Sequence, residues 1–155
     1  MNPKALLVLS LFVLASSMPA QSQSQLGEFT GYWRGSAVGE VSSGKKENLT
    51  CTTNNSLKDG GSLRMVLRCA NATGVSLQIY ATIAQSGGKL SGTWEERTYN
   101  ISGTIAGSVA VNALRAQVVS PNFKASIRVE RNGNTLTVSV VPSEGTGKFT
   151  VAMSK

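Results

Sequence analysis

Val75-Ser76-Leu77-Gln78-Ile79-Tyr80-Ala81-Thr82-Ile83 alternates apolar and polar side chains from end to end. An extended strand sends successive side chains to opposite faces, so Val75, Leu77, Ile79, Ala81 and Ile83 share one side and Ser76, Gln78, Tyr80 and Thr82 the other. The period is two, where an amphipathic helix needs 3.6. Gln85-Ser86-Gly87-Gly88 then reads as a turn, and Leu90, Gly92 and Trp94 resume the alternation on the next strand.

The same grammar extends in both directions. Upstream, Trp33, Gly35, Ala37, Gly39 and Val41 form an inward set, and Ser42-Ser43-Gly44 turns the chain into Glu47 to Thr53. Downstream, Ile101-Gly103-Ile105-Gly107-Val109 follows Trp94, and Leu114, Ala116 and Val118 lead through Ser120-Pro121-Asn122 into Phe123, Ala125, Ile127 and Val129. Asn132-Gly133 carries a type I′ hairpin signal; Leu136, Val138 and Val140 precede a loop over 142–147, and Phe149, Val151 and Met153 form the last strand. No segment has a helical period. The expected fold is all-β: a single antiparallel up-and-down barrel of about 8–10 strands.

Two strands open with Gly-x-Trp, at Gly31-Tyr32-Trp33 and Gly92-Thr93-Trp94. Glycine relieves crowding where a strand coils sharply, and an inward Trp fills the end of a core. The repetition also fits an internal duplication, although little beyond these positions matches. Inward Gly35, Ala37, Gly39, Gly103 and Gly107 let the sheet bend, and are compatible with either a filled barrel or a small cavity.

Cys51 and Cys69 are the only cysteines, and each sits in the apolar register of its strand, beside Leu49 and Thr53 on one and Leu63, Met65 and Leu67 on the other. Lys58-Asp59-Gly60-Gly61 marks a turn near the midpoint between them. A hairpin therefore sets the two sulfurs opposite each other, and a disulfide is expected. Metal binding has no comparable support, with no His in the chain and no second cysteine pair.

Lys4 followed by the apolar run Ala5 to Ala15 and by small residues at Ser16, Ser17 and Ala20 reads as a cleaved secretory signal over 1–22, with cleavage after Ala20 or after Ser22 equally compatible with the sequence. That run is too short for a transmembrane helix. Residues 23–28 then form a polar leader and 29–155 one barrel domain of about 130 residues, enough for one core. Export to the periplasm or the extracellular space suits the disulfide. Four sequons, at Asn48, Asn54, Asn71 and Asn100, are glycan acceptors only in a eukaryotic secretory route.

Catalysis finds few residues to work with. The chain has no Ser-His-Asp or Cys-His set, and Glu95 and Glu96 are strand neighbours that point to opposite faces. If Trp94 points inward so does Glu96, expected near the barrel mouth and paired with an arginine such as Arg34 or Arg97. No catalytic residue and no cofactor is expected. The formal charge is +7, or about +6 once Lys4 is removed with the signal. This fits either attraction to anionic envelope components or ordinary solubility and edge protection. Nucleic-acid binding lacks an aromatic-basic strand motif. Outward Arg64, Arg68, Gln78, Glu95, Arg97, Lys124, Arg128 and Glu130 would be costly against lipid, so a membrane-spanning barrel is not expected.

Gly31-Tyr32-Trp33 on a first strand resembles the opening of lipocalin-like, or calycin, proteins, whose barrels hold small apolar ligands. Trp33 together with Cys51 and Cys69 is also similar to secreted bacterial metalloprotease inhibitors, which act through a mature N-terminal segment; here that corresponds loosely to Gln21 to Leu26. Trp33-Arg34-Gly35, Leu67-Arg68-Cys69 and Gly92-Thr93-Trp94-Glu95-Glu96 resemble small exported bacterial β-proteins with no assigned activity. The last of these implies a compartment and not an activity; with the scarcity of catalytic residues, the expected protein is a monomeric, non-enzymatic binding protein. Either it carries or senses a small apolar ligand, with Trp33, Ile79, Trp94 and Glu96 as ligand-binding residues, or it is a protein-binding module of the cell envelope.

Overall fold

Each strand follows from the alternation and each reversal from a local turn signal. The computed structural model describes residues 24–40, 44–144 and 147–155. The signal segment over 1–22, Gln23 of the leader, and Val41 of the first inward set lie outside them. The ten strands are β1 (Gly31–Glu40), β2 (Lys46–Leu57), β3 (Leu63–Ala70), β4 (Ser76–Ser86), β5 (Lys89–Glu96), β6 (Ile101–Ala110), β7 (Ala113–Ser120), β8 (Phe123–Asn132), β9 (Thr135–Pro142) and β10 (Phe149–Ser154). Every sequential pair is antiparallel, and β1 pairs with β10 from Arg34 opposite Ser154 to Gly39 opposite Phe149, which closes the barrel. Closure leaves no edge strand open. No helix among the described residues is long and apolar enough to cross a membrane.

Strand glycines allow the sheet to curl this tightly. A β-carbon on Gly35 would collide with the Ala152 carbonyl oxygen of β10, and one on Gly103 with the Val119 carbonyl oxygen of β7. No other residue fits such an approach.

The two ends of the barrel differ. At one end, β4–β5, β6–β7 and β8–β9 are joined by tight turns at Gly87-Gly88, Val111-Asn112 and Gly133-Asn134. The last is one residue beyond the expected Asn132-Gly133: Asn132 pairs with Thr135, and of the two loop residues only Gly133, with φ 56°, has a positive φ. The hairpin thus has the glycine-first sense of a type II′ turn.

This end is also plugged. Residues Gln25–Phe29 form a short 3₁₀ helix with Leu26 and Phe29 buried. The leader expected over 23–28 is therefore partly core, because Leu26 and Phe29, three apart, fall on the same side of a 3₁₀ turn. Asn55 Nδ2 donates to the Phe29 carbonyl (2.9 Å), Thr53 Oγ1 donates to Asn55 Oδ1 (2.7 Å), and Gln85 Oε1 accepts from the Gln25 N–H (2.9 Å). Glu28 pairs with Arg131. Buried polar groups on β2 thus satisfy one another and the plug. Above it Trp33, Leu63, Leu136, Val151 and Met153 pack as a closed core.

Cys51 and Cys69 are register partners on β2 and β3, with Cα atoms 4.1 Å apart, and form the expected disulfide. The bond stabilises mainly by restricting the unfolded chain, by about 3 kcal/mol for a loop of this size.

Candidate functional site

At the other end all the connections but Pro121-Asn122, between β7 and β8, run to four residues or more, and the inward residues change character. Met65, Leu67, Leu77, Ile79, Phe123, Ile127, Val140 and Phe149 all point inward by register, yet are only partly buried. An inward side chain that keeps exposure inside a closed barrel borders open space. A cavity of about 360 Å³ lies there, within the size range of small-molecule pockets, and opens beside Tyr99, Ile101, Pro142 and Phe149. Ile83, Ile105, Leu114, Val129 and Val138 line its deeper, aliphatic part.

Of the residues expected to bind ligand, Ile79 and Trp94 line this cavity. The Trp94 ring meets Phe123 edge to face, with centroids 6.0 Å apart. Its Nε1 lies against β6, where a β-carbon on Gly103 would approach it to 2.9 Å, and has no hydrogen-bond partner. The indole therefore offers the cavity apolar surface. Trp33 is elsewhere: fully buried at the plugged end, with the Lys155 Nζ 4.6 Å from its ring centroid, and not part of the cavity wall. Its position two residues after Gly31 starts it at the opposite end of the barrel from the mouth.

Glu96 also lines the cavity, but the arginine partner expected for it is absent. Its Oε1 accepts from the N–H groups of Gln78 (2.8 Å) and Thr98 (3.0 Å), and its Oε2 from that of Tyr99 (2.6 Å). Arg97 instead pairs with Glu95 on the outer face, and Arg34 lies over Tyr32. The alternation explains this, since Arg97 follows the last inward position and Arg34 is outward on β1. Burial alone would push the Glu96 carboxyl up, but the backbone donors outweigh it and hold it below the usual carboxylate range. A lowered folded-state pKa stabilises at pH values above the unfolded carboxyl's pKa, about 4.3, and that stability is lost as the pH falls through the lower folded value. Glu96→Gln should therefore flatten the acid limb of a stability–pH profile; an acid limb identical to that of the unmodified protein would show that Glu96 is not the group responsible.

The aromatic mouth residues Tyr99, Phe123 and Phe149 were not singled out from sequence. Phe123 and Phe149 each begin an inward register at the mouth end, a signal present in the alternation itself.

The outer wall carries the charge. Arg68 and Arg97 both face the Tyr80 ring, Arg97 at 3.8 Å from its centroid. A shallow depression over β6–β9 runs between Arg115, Arg128 and Lys148, with Glu130 paired to Arg128. Among the described residues no group of three His, Cys, Asp or Glu side chains could hold a metal ion.

No protein-family model matches the sequence, and no curated protein matches it significantly. Solved structures do resemble the fold. Rv2717c from M. tuberculosis aligns with a TM-score of 0.65 at 12% identity, over 84% of this chain and 94% of that one. A redesigned β-barrel, mFAP1, bound to DFHBI gives 0.52 at 13% identity, over 84% and 98%. The S-type phycobiliprotein lyase CPES from Guillardia theta gives 0.54 at 10% identity, over 83% and 87%. At these identities the likeness is one of barrel architecture, and it does not single out the calycin family.

Proposed function

We propose that this chain is an exported, non-enzymatic binding protein that carries or senses a small apolar molecule inside its barrel. The observation that carries this reading is the set of inward apolar residues left half-buried around a cavity of about 360 Å³, at one end of a barrel whose other end is plugged. Hydrophobic side chains that could have collapsed onto one another instead border a space, and an apolar occupant would bury them. The architecture is compatible with such a role, since the redesigned barrel of similar fold is bound to a small molecule, DFHBI. Export is supported by the disulfide and by the signal-like N-terminal sequence. The reading as an inhibitor acting through Gln21 to Leu26 has less support, because Leu26 is fully buried in the plug and not free to enter a partner.

Titration with the neutral fluorophore N-phenylnaphthylamine tests the reading. Saturable enhancement at one probe per chain is expected, with quenching of Trp94, and Trp94→Phe should remove most of the quenching while Trp33 remains. Failure of the probe to bind, together with a native mass equal to that of the bare chain, would reject a ligand-carrying barrel.

A further inference from the structure

The mouth of the cavity contains an arrangement that ordinarily holds an anion. Three backbone N–H groups, of Gln78, Thr98 and Tyr99, converge within 2.6–3.0 Å on one carboxylate. Convergent backbone donors of this kind form anion cradles, and charge-assisted hydrogen bonds to them are the strong ones. In a carrier of carboxylate amphiphiles, such a cradle beside an apolar cavity would hold the ligand's head group. Here it is occupied from within the protein, by Glu96.

We propose that the cavity selects uncharged apolar molecules and rejects the corresponding carboxylates, because Glu96 fills the anion cradle at its mouth. This rests on the reading of the barrel as a ligand carrier. Among the described residues no lysine or arginine lines the cavity to offset the acid. A second carboxylate stands in the inward register near the mouth. Glu47 pairs across the sheet with buried Gly39 and is held by Asn71 Nδ2 (3.2 Å) and Lys45 Nζ (3.2 Å). Lys124 and Lys148 are nearby in sequence to mouth residues, but alternation turns them outward from Phe123 and Phe149, and both are exposed. An anionic head group drawn into the cavity would lose its hydration with no counter-charge from the lining, and one left at the mouth would face Glu96, with Glu47 already paired to Lys45. A hydroxyl, carbonyl or hydrocarbon end meets neither cost.

Competition for bound N-phenylnaphthylamine by two ligands of equal chain length, dodecanol and dodecanoate, decides the matter at neutral pH and below the micellar range. Dodecanol should displace the probe at a concentration at least about tenfold lower than dodecanoate, a difference of about 1.4 kcal/mol. In Glu96→Gln and Glu96→Ala the cradle loses its resident anion, and the ratio should fall towards one or reverse as dodecanoate gains access to the free N–H groups. Equal displacement by both ligands from the unmodified protein would overturn the proposed selectivity while leaving the cavity reading intact. A ratio unchanged in both folded variants would overturn the role given to Glu96. Should both variants fail to fold, the ratio in the unmodified protein still decides the selectivity. No uptake of probe or dodecanol would instead overturn the carrier reading itself.

Discussion

Alanine in place of Trp33 should destabilise the barrel by about 3–5 kcal/mol, the range for removing a large buried aromatic side chain. Trp33 is wholly inaccessible and sits among Leu63, Leu136, Val151 and Met153 above the Leu26–Phe29 plug, so close-packed neighbours would line the gap its removal leaves. Its Nε1 makes no hydrogen bond, so the loss is one of packing and apolar burial, and Trp33→Phe should cost far less. The comparison with Trp94→Ala is the sharper check. Trp94 already borders open space, so its removal enlarges an existing cavity and exposes fewer close-packed neighbours. Urea unfolding of the three variants should rank Trp33→Ala well below Trp94→Ala in stability with similar m-values. Equal losses at the two sites would mean that the mouth half is packed as firmly as the plugged half, and the contrast between the ends would fail.

Filling the cavity should abolish ligand uptake without unfolding the protein. Ile79 is suited to this, being inward on β4 between Leu67 and Glu96, only partly buried and part of the cavity wall. Ile79→Trp has empty space to grow into, so the usual penalty of about 1–3 kcal/mol for overpacking a filled core should largely be avoided. The same space is then denied to a ligand. Affinity for N-phenylnaphthylamine should fall by about 100-fold or more, on the order of 3 kcal/mol, while the melting temperature stays near that of the parent. Retained affinity in a stably folded Ile79→Trp protein would place the probe somewhere other than the barrel interior, with the outer depression near Arg115 and Arg128 the next place to look.

The architecture was legible in the sequence because its signals are local. Period-two alternation identifies strands such as Ser76–Ser86, paired glycines and Asn-Gly mark the reversals, and the register of Cys51 and Cys69 about a central turn places the disulfide. The cavity was not legible. Alternation says which side chains face inward but not how much volume remains between them, which depends on the number of strands and on where the sheet curls. The same glycines fit a filled or a hollow barrel until Gly35 and Gly103 are seen against neighbouring backbone. Glu96 was correctly placed inward by its parity with Trp94, but its partners are backbone N–H groups of a loop and of β4, to which side-chain identity gives no clue. Leu26 was read as part of a polar segment since glutamine and serine surround it. Its spacing to Phe29, immediately before Gly31-Tyr32-Trp33, was the available signal.

The seam between β1 and β10 also sets when this protein can exist. The first strand finds its second partner in β10, Phe149–Ser154, so the barrel cannot close until β10 is available to pair. Contacts of such long sequence separation make folding slow, and until the seam forms β1 and β9 each present an unpaired edge that invites pairing with other chains. If the chain is exported unfolded, as proposed above, this delay is an advantage, because the closed barrel cannot form before β10 arrives. The hazard lies in the interval before the seam forms, when concentration and the speed of closing it decide between a barrel and an aggregate.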